Sequence, residues 1–229
     1  MTDDARTALK RQASEAAAAL VTDGMVVGLG TGSTAMLAIE ALIRRVGEGL
    51  QIVAIPTSER SAAQARAGGI VLTDFAANPS IDLTIDGADE VERGSLDLVK
   101  GLGGALLREK IVAAASARLV IVADSLKLVD RLGATTAIPV EAVPFGWEAT
   151  ARHIEELGGV PLRRMSDGKP FLTDGGNFIL DCQFGPVERP ALLDAKLQGI
   201  VGVIETGFFI GRTSEVLVAD EGGVRRMSR

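Results

Sequence analysis

The sequence predicts an α/β protein: a Rossmann-like, mostly parallel sheet with a second, smaller ferredoxin-like α+β domain. Three observations predict it. Short β-branched runs alternate with helical patterns through the first half of the chain. A glycine-rich turn, GLGTGSTA at residues 28–35, joins the first strand to the first crossover helix. The second half then changes rhythm to a β-α-β-β-α-β order, the split βαβ arrangement.

Each element has its own justification. The opening MTDDARTALKRQASEAAAALV is a charged, alanine-rich amphipathic helix. MVVGL (25–29) is a strand, followed by a helix over about 33–46. IVAI (52–55) is the next strand, and SERSAAQARA is a helix stopped by Gly68 and Gly69. GIVL and DLTID (82–86) are strands, ALLREKIVAAASA a helix, and LVIVA (119–123) a strand. Such alternation requires right-handed crossovers and a sheet covered on both faces. Ligands of these sheets bind beyond the carboxyl ends of the strands, which singles out the segments after Leu29, Ile55, Asp86 and Ala123.

In the second half AIPVEAV is a strand and WEATARHIEELGG a helix with a glycine stop. VPLRR and NFILDCQF are strands, the latter preceded by a turn at TDGGN. PALLDAKLQ opens on proline as a helix, and VGVIE closes the set. The smaller domain is placed at 134–206 and the Rossmann-like one at 1–133 plus 207–229, with SEVLVA returning to the first sheet.

Composition narrows the function. A formal net charge of -6 and 3% aromatics, with no tyrosine, argue against nucleic acid, which wants a basic patch or stacking platforms. No segment has the apolar length of a membrane span, and the N-terminal helix lacks a signal peptide's apolar core, so a cytoplasmic location is expected. The single cysteine, Cys182, sits in an alternating strand and reads as a small buried hydrophobe. One cysteine and one histidine, His153, cannot make a zinc site, and no metal is expected. Acid–base chemistry therefore falls to carboxylates, with lysines to stabilise charge.

The glycine-rich turn is not a dinucleotide loop. Ser33 stands where a third glycine is needed, and no acid ends the second strand near Ile55. No Lys-Ser/Thr pair follows, so a P-loop fails too. What remains, Thr31, Gly32, Ser33 and Thr34, is either a compact anion cradle or an ordinary helix cap. IDGADEVE puts Asp86 at a strand end, with Gly87, Ala88, Asp89 and Glu90 just beyond. KGLGGALLREK adds Lys100, Gly101, Leu102 and Gly103, then a helix carrying Glu109. Singly these read as a solvated acidic turn and a helix-surface charge pattern; together they bring carboxylates and a lysine to the ligand edge of one sheet.

GLGTGSTA, PTSER, TIDGADEV, KGLGGALLREK, ADSLK, PVEAVPFGWEATA and TDGGNFILD together resemble ribose-5-phosphate isomerase, type A, over nearly the whole chain. The resemblance implies an aldose–ketose isomerase of the non-oxidative pentose phosphate pathway, interconverting D-ribose 5-phosphate and D-ribulose 5-phosphate through a cis-enediolate. It implies no metal or organic cofactor, a sugar phosphate as the partner molecule, and a homodimer or homotetramer. By motif match Glu109 is the general base, and Asp86 and Asp89 contact the sugar hydroxyls and assist ring opening. Lys100 and the backbone of residues 101–103 steady the oxyanion; Thr31, Gly32, Ser33, Thr34, Gly87 and Ala88 line the substrate; Lys10 and Lys127 face the phosphate.

One departure stands out. Leu102 interrupts a glycine run, so this loop either keeps ordinary φ at 102 or carries strain. Two rivals are a sugar-phosphate sensor and an acyl-CoA transferase of related architecture. The first needs a DNA-binding module for which the 24 residues before the first strand are too few. The second would use a covalent glutamate, which hydroxylamine would trap.

Overall fold

The computed structural model describes residues 3–229. The chain divides into two units, the first made of residues up to Ala88, Arg108–Lys127 and Arg212–Arg229, and the second of Asp89–Leu107 and Leu128–Gly211.

The first unit is built on a seven-stranded sheet. Its strands in spatial order are Gly223–Ser228, Glu215–Asp220, Leu119–Asp124, Leu83–Gly87, Val26–Leu29, Val53–Pro56 and Val71–Leu72. Numbered along the chain this is 7-6-5-4-1-2-3, all parallel except the terminal Gly223–Ser228 hairpin strand. That is the doubly wound Rossmann order, whose direction reverses between Val26–Leu29 and Leu83–Gly87. Leu119–Asp124 is buried at every position, as a strand covered on both faces must be. Helix Ser33–Gly47 turns Ala35, Ala38, Ile39, Ala41 and Leu42 inward, a spacing that paints one helical face. Of these, Ala38, Ile39, Ala41 and Leu42 join Ala13 and Ala17 of helix Asp3–Ala18 and Val27, Leu29, Leu83 and Ile85 of the strands in one core. The expected return of SEVLVA to this sheet is seen in the parallel pairing of Glu215–Asp220 with Leu119–Asp124.

The second unit holds an antiparallel sheet in the order Val160–Arg163, Phe178–Gln183, Ile138–Ala142, Val203–Thr206. Along the chain this reads 2-3-1-4, with helices Trp147–Glu156 and Pro190–Gln198 as the two crossovers, which is the ferredoxin-like arrangement. Cys182 is fully buried on its central strand. Burial and the neighbouring Asp181 charge push its thiol far above the usual cysteine range, so it behaves as the apolar filler the sequence suggests. His153 lies at the surface beside Glu156, 3.2 Å away. Among the described residues no helix is long and apolar enough to cross a membrane.

A second four-stranded sheet, Phe208–Phe209, Leu98–Val99, Glu90–Glu92 and Leu128–Val129, has no counterpart in the sequence reading. Its acidic member is not a solvated turn. Glu90 is fully buried, and its carboxylate accepts from the N–H groups of Gly133, Thr135 and Thr136 and from Thr135 Oγ1, at 2.5 to 2.9 Å. Four donors on one carboxylate compensate for removing it from water. Glu90→Gln would set an amide NH₂ against these N–H groups. The expected loss is about 1–3 kcal/mol of unfolding free energy, read by urea denaturation; a variant as stable as the parent would refute the clamp.

Candidate active site

In the first unit the chain leaves Val26–Leu29 at the point where strand order reverses, and the next residues are tied to the tip of Leu83–Gly87. Gly30 N–H donates to Ile85 O at 2.9 Å. Asp86 is 1% exposed, and its Oδ1 accepts from Thr31 N–H at 3.1 Å and Gly87 N–H at 2.7 Å. The approach is so close that a Cβ on Gly30 would lie 2.1 Å from Asp86 Oδ1 and 2.6 Å from Asp86 Cα. Gly30 is therefore required by contact, and not by its dihedral angles.

Thr31 sits differently from a ligand-facing hydroxyl. Its Oγ1 is within 2.7 Å of Thr57 Oγ1 and 2.8 Å of Ser58 Oγ, in a buried cluster that Ser61 completes by donating to Gly30 O at 2.7 Å. Thr57 Oγ1 donates in turn to Leu29 O at 3.0 Å. The side chain of Thr31 thus braces the loop from within, while its backbone N–H holds Asp86. Thr57, Ser58 and Ser61 come from PTSERS, the segment after Ile55 that the sequence marks by its place beyond a strand end and by the family resemblance, without assigning these three residues a role.

The helix that follows begins at Ser33 with Gly32 as its cap residue, at φ 112°, and makes no side-chain cap hydrogen bond. The ordinary Ser/Thr cap is therefore not what these residues form. Without it the first-turn N–H groups stay available to an anion. Lys10 Nζ donates to Ser33 Oγ at 3.2 Å, and Ser14 Oγ to Thr34 O at 3.1 Å, which brings helix Asp3–Ala18 against this loop. Thr34 also lies beside Gly87, whose Cβ, if present, would be 3.7 Å from the threonine's own.

Glu109 occupies the first turn of helix Leu106–Ala114 and is 3% exposed. That helix leads into Leu119–Asp124, so in a parallel crossover its first turn lies at the carboxyl edge of the sheet. Lys127 ends the short helix Ser125–Lys127 immediately beyond the same strand. Asp124, also buried, accepts from Leu126 N–H at 3.1 Å and Arg6 Nε at 2.9 Å, fixing that turn.

In the second unit Asp89 Oδ2 accepts the N–H of Leu102 at 2.9 Å. Lys100 is 3% exposed, with Nζ 5.5 Å from the centroid of the Phe209 ring, a cation–π contact. Its backbone N–H donates to Gly207 O at 2.8 Å. The loop after it closes through Gly104 N–H to Gly101 O at 3.0 Å, and the left-handed angles fall on Gly101 (φ 118°) and Gly104 (φ 78°). Leu102 keeps ordinary φ and its side chain is half exposed, so the interrupted glycine run carries no strain there. Gly103 and Ala88 complete the predicted set, Gly103 exposed and Ala88 half-buried.

The buried carboxylates of the first unit can do acid–base chemistry, and amides and lysines within each unit can hold an anion. Among the described residues no group of three or more His, Cys, Asp or Glu side chains could hold a metal ion. The family model "Ribose 5-phosphate isomerase A (phosphoriboisomerase A)" matches residues 53–223. Ribose-5-phosphate isomerase A of Gloeobacter violaceus is 60% identical over 216 residues, 94% of each chain. Ribose 5-phosphate isomerase A of Methanocaldococcus jannaschii superposes with a TM-score of 0.93 at 38% identity, covering 97% of this chain and 99% of that one. A D-ribose-5-phosphate isomerase in complex with phospho-erythronic acid gives 0.94 at 34% identity, covering 97% and 98%.

The Gly30–Asp86 contact is directly testable. Gly30→Ala forces a methyl into Asp86, with backbone among the atoms it meets, and should cost about 1–3 kcal/mol by denaturant unfolding. Unchanged stability would show that the two loops are not packed in this way.

Proposed function

We infer the chemistry of this chain from its family: it belongs to the ribose 5-phosphate isomerase A family and isomerises ribose 5-phosphate. The reaction interconverts D-ribose 5-phosphate and D-ribulose 5-phosphate, a step of the non-oxidative pentose phosphate pathway, by moving a proton between C1 and C2. Asp86 and Asp89 engage the sugar hydroxyls and assist ring opening. Glu109 then removes the proton from C2 of the open-chain aldose. The C–H electron pair forms the C1=C2 bond, and the carbonyl pair moves onto O1 to give the cis-enediolate. A proton passes from O2 to O1, and Glu109 returns its proton to C1 to complete the ketose. Lys100 and the amides of the 101–103 loop stabilise the oxyanion, and Lys10, Lys127 and the start of helix Ser33–Gly47 hold the phosphate.

The observation that carries this assignment is the burial of two carboxylates, Asp86 and Glu109, on elements that end or begin at the carboxyl edge of a Rossmann-ordered sheet. Burial supports a base shielded from bulk water, and a family relative holding a phosphorylated four-carbon acid supports an anionic planar intermediate. The carboxylate of that acid reproduces the charge and flatness of the enediolate. A histidine is not needed for such chemistry, and the chain's one histidine is at the surface.

Glu109→Gln removes the proton acceptor and leaves the phosphate contacts. A coupled isomerase assay should show kcat lower by about 10²–10⁴-fold with KM changed by less than about threefold. Near-normal turnover would overturn the assignment of the base. Lys127→Ala should instead raise KM by about tenfold with a smaller effect on kcat, since it removes binding common to substrate and transition state. An unchanged KM would exclude Lys127 from the phosphate site.

A further inference from the structure

Arg164 belongs to none of the motifs that carry the family resemblance; it sits on the turn between Val160–Arg163 and the Met165–Ser166/Lys169–Pro170 hairpin of the second unit. Its guanidinium is used along two edges. Nε donates to Asp181 Oδ2 at 2.9 Å and Nη2 donates to Asp181 Oδ1, a side-on bidentate pair with the strand Phe178–Gln183. The remaining nitrogen, Nη1, donates to Gly101 O at 2.8 Å and to Leu102 O at 3.1 Å. The guanidinium carbon also lies 5.8 Å from the centroid of the Phe171 ring, and that ring packs so closely on Gly104 that a Cβ there would lie 2.4 Å from it. The arginine and the phenylalanine hold the same four-residue turn from one side.

The consequence follows from peptide geometry. In a trans peptide the C=O and the next residue's N–H point in opposite directions, and no peptide bond among the described residues is cis. Two consecutive carbonyls drawn to one nitrogen therefore turn two consecutive N–H groups, those of Leu102 and Gly103, to the other side of the loop. The first of these is seen there, donating to Asp89 Oδ2. Successive amides turned the same way form an anion-binding concavity. Left to itself a glycine-flanked turn can flip its peptides at little cost, because Gly101 and Gly104 reach either sign of φ.

We propose that Arg164 is a positioning residue for the isomerase reaction: by holding the Gly101 and Leu102 carbonyls it keeps the Leu102 amide on Asp89 and the Gly103 amide aimed at the substrate oxyanion. This rests on the proposed role of that loop. The effect acts through the backbone, and Arg164 itself touches no reacting atom. A lysine cannot replace it, since one ammonium lacks the second edge that Asp181 anchors.

The test compares the full chain with Arg164→Lys and Arg164→Ala, measuring kcat and KM for ribose 5-phosphate and Ki for phospho-erythronic acid. Displaced donors should lower kcat and raise Ki together, by about tenfold to a hundredfold, with KM within about threefold. Circular dichroism and unfolding midpoints check that each variant is folded. If Arg164→Ala is not, Asp181→Asn, which loosens the guanidinium without removing it, should show the same kcat and Ki pattern at smaller size. Partial recovery of the Ala variant by added guanidinium ion would support positioning and would not arise from a global packing defect. Folded variants with unchanged kcat and Ki, or with KM alone raised, overturn the proposal. Glu109→Gln separates the two levels: if it abolishes turnover while the Arg164 variants are normal, only the positioning role fails.

Discussion

The carboxylate of Asp86 organises the reactive edge of the first unit. It sits at the end of a parallel strand where the peptide groups of Thr31 and Gly87 both point at one of its oxygens. The neighbouring turn can come this near only because residue 30 has no side chain. From that contact the rest follows: Thr31 is held with its hydroxyl turned away into the Thr57–Ser58–Ser61 cluster, and Gly32 starts the next helix without a side-chain cap. A buried carboxylate met by two amides is an anchor for both loops. It fixes the geometry because its own desolvation is compensated there.

The economy of the chemistry is set by the same composition that excluded other mechanisms. With no tyrosine, one buried cysteine and one surface histidine, the proposed mechanism gives proton transfer to carboxylates, and charge stabilisation to lysines and peptide amides. Peptide amides are useful donors only if something holds their carbonyl ends, since a glycine loop has little stiffness of its own.

Much of the fold was legible because burial on both faces leaves a plain signature. LVIVA and DLTID could hardly be anything but covered parallel strands, and the β-α-β-β-α-β rhythm of the second half translated directly into the 2-3-1-4 sheet. The small sheet containing Glu90–Glu92 and Leu98–Val99 was not legible. Strands of two or three residues have no measurable periodicity, and a glutamate in one of them reads as exposed unless its four donors, forty or more positions later, are known. The terminal Gly223–Ser228 strand escaped for a related reason: as an edge it is largely polar and exposed. Among the candidate residues, the motifs brought forward Asp86, Lys100 and Glu109, but they could not separate the backbone of Thr31 from its side chain. Nor could they separate Arg164 from the adjacent Arg163, since the contacts that distinguish it, to Asp181 and to the Gly101 and Leu102 carbonyls, are made by residues distant in the chain.

Leucine at position 102 has a consequence for the denatured chain. A residue that adopts ordinary angles in the native turn gains nothing from being glycine, whereas a side chain there narrows the range of shapes the unfolded polypeptide samples. Replacing glycine by a compatible residue is worth about 0.4–1 kcal/mol through this effect alone. The interruption of the run therefore makes the turn cheaper to order, and confines its freedom to the two flanking positions where inverted dihedrals are actually used.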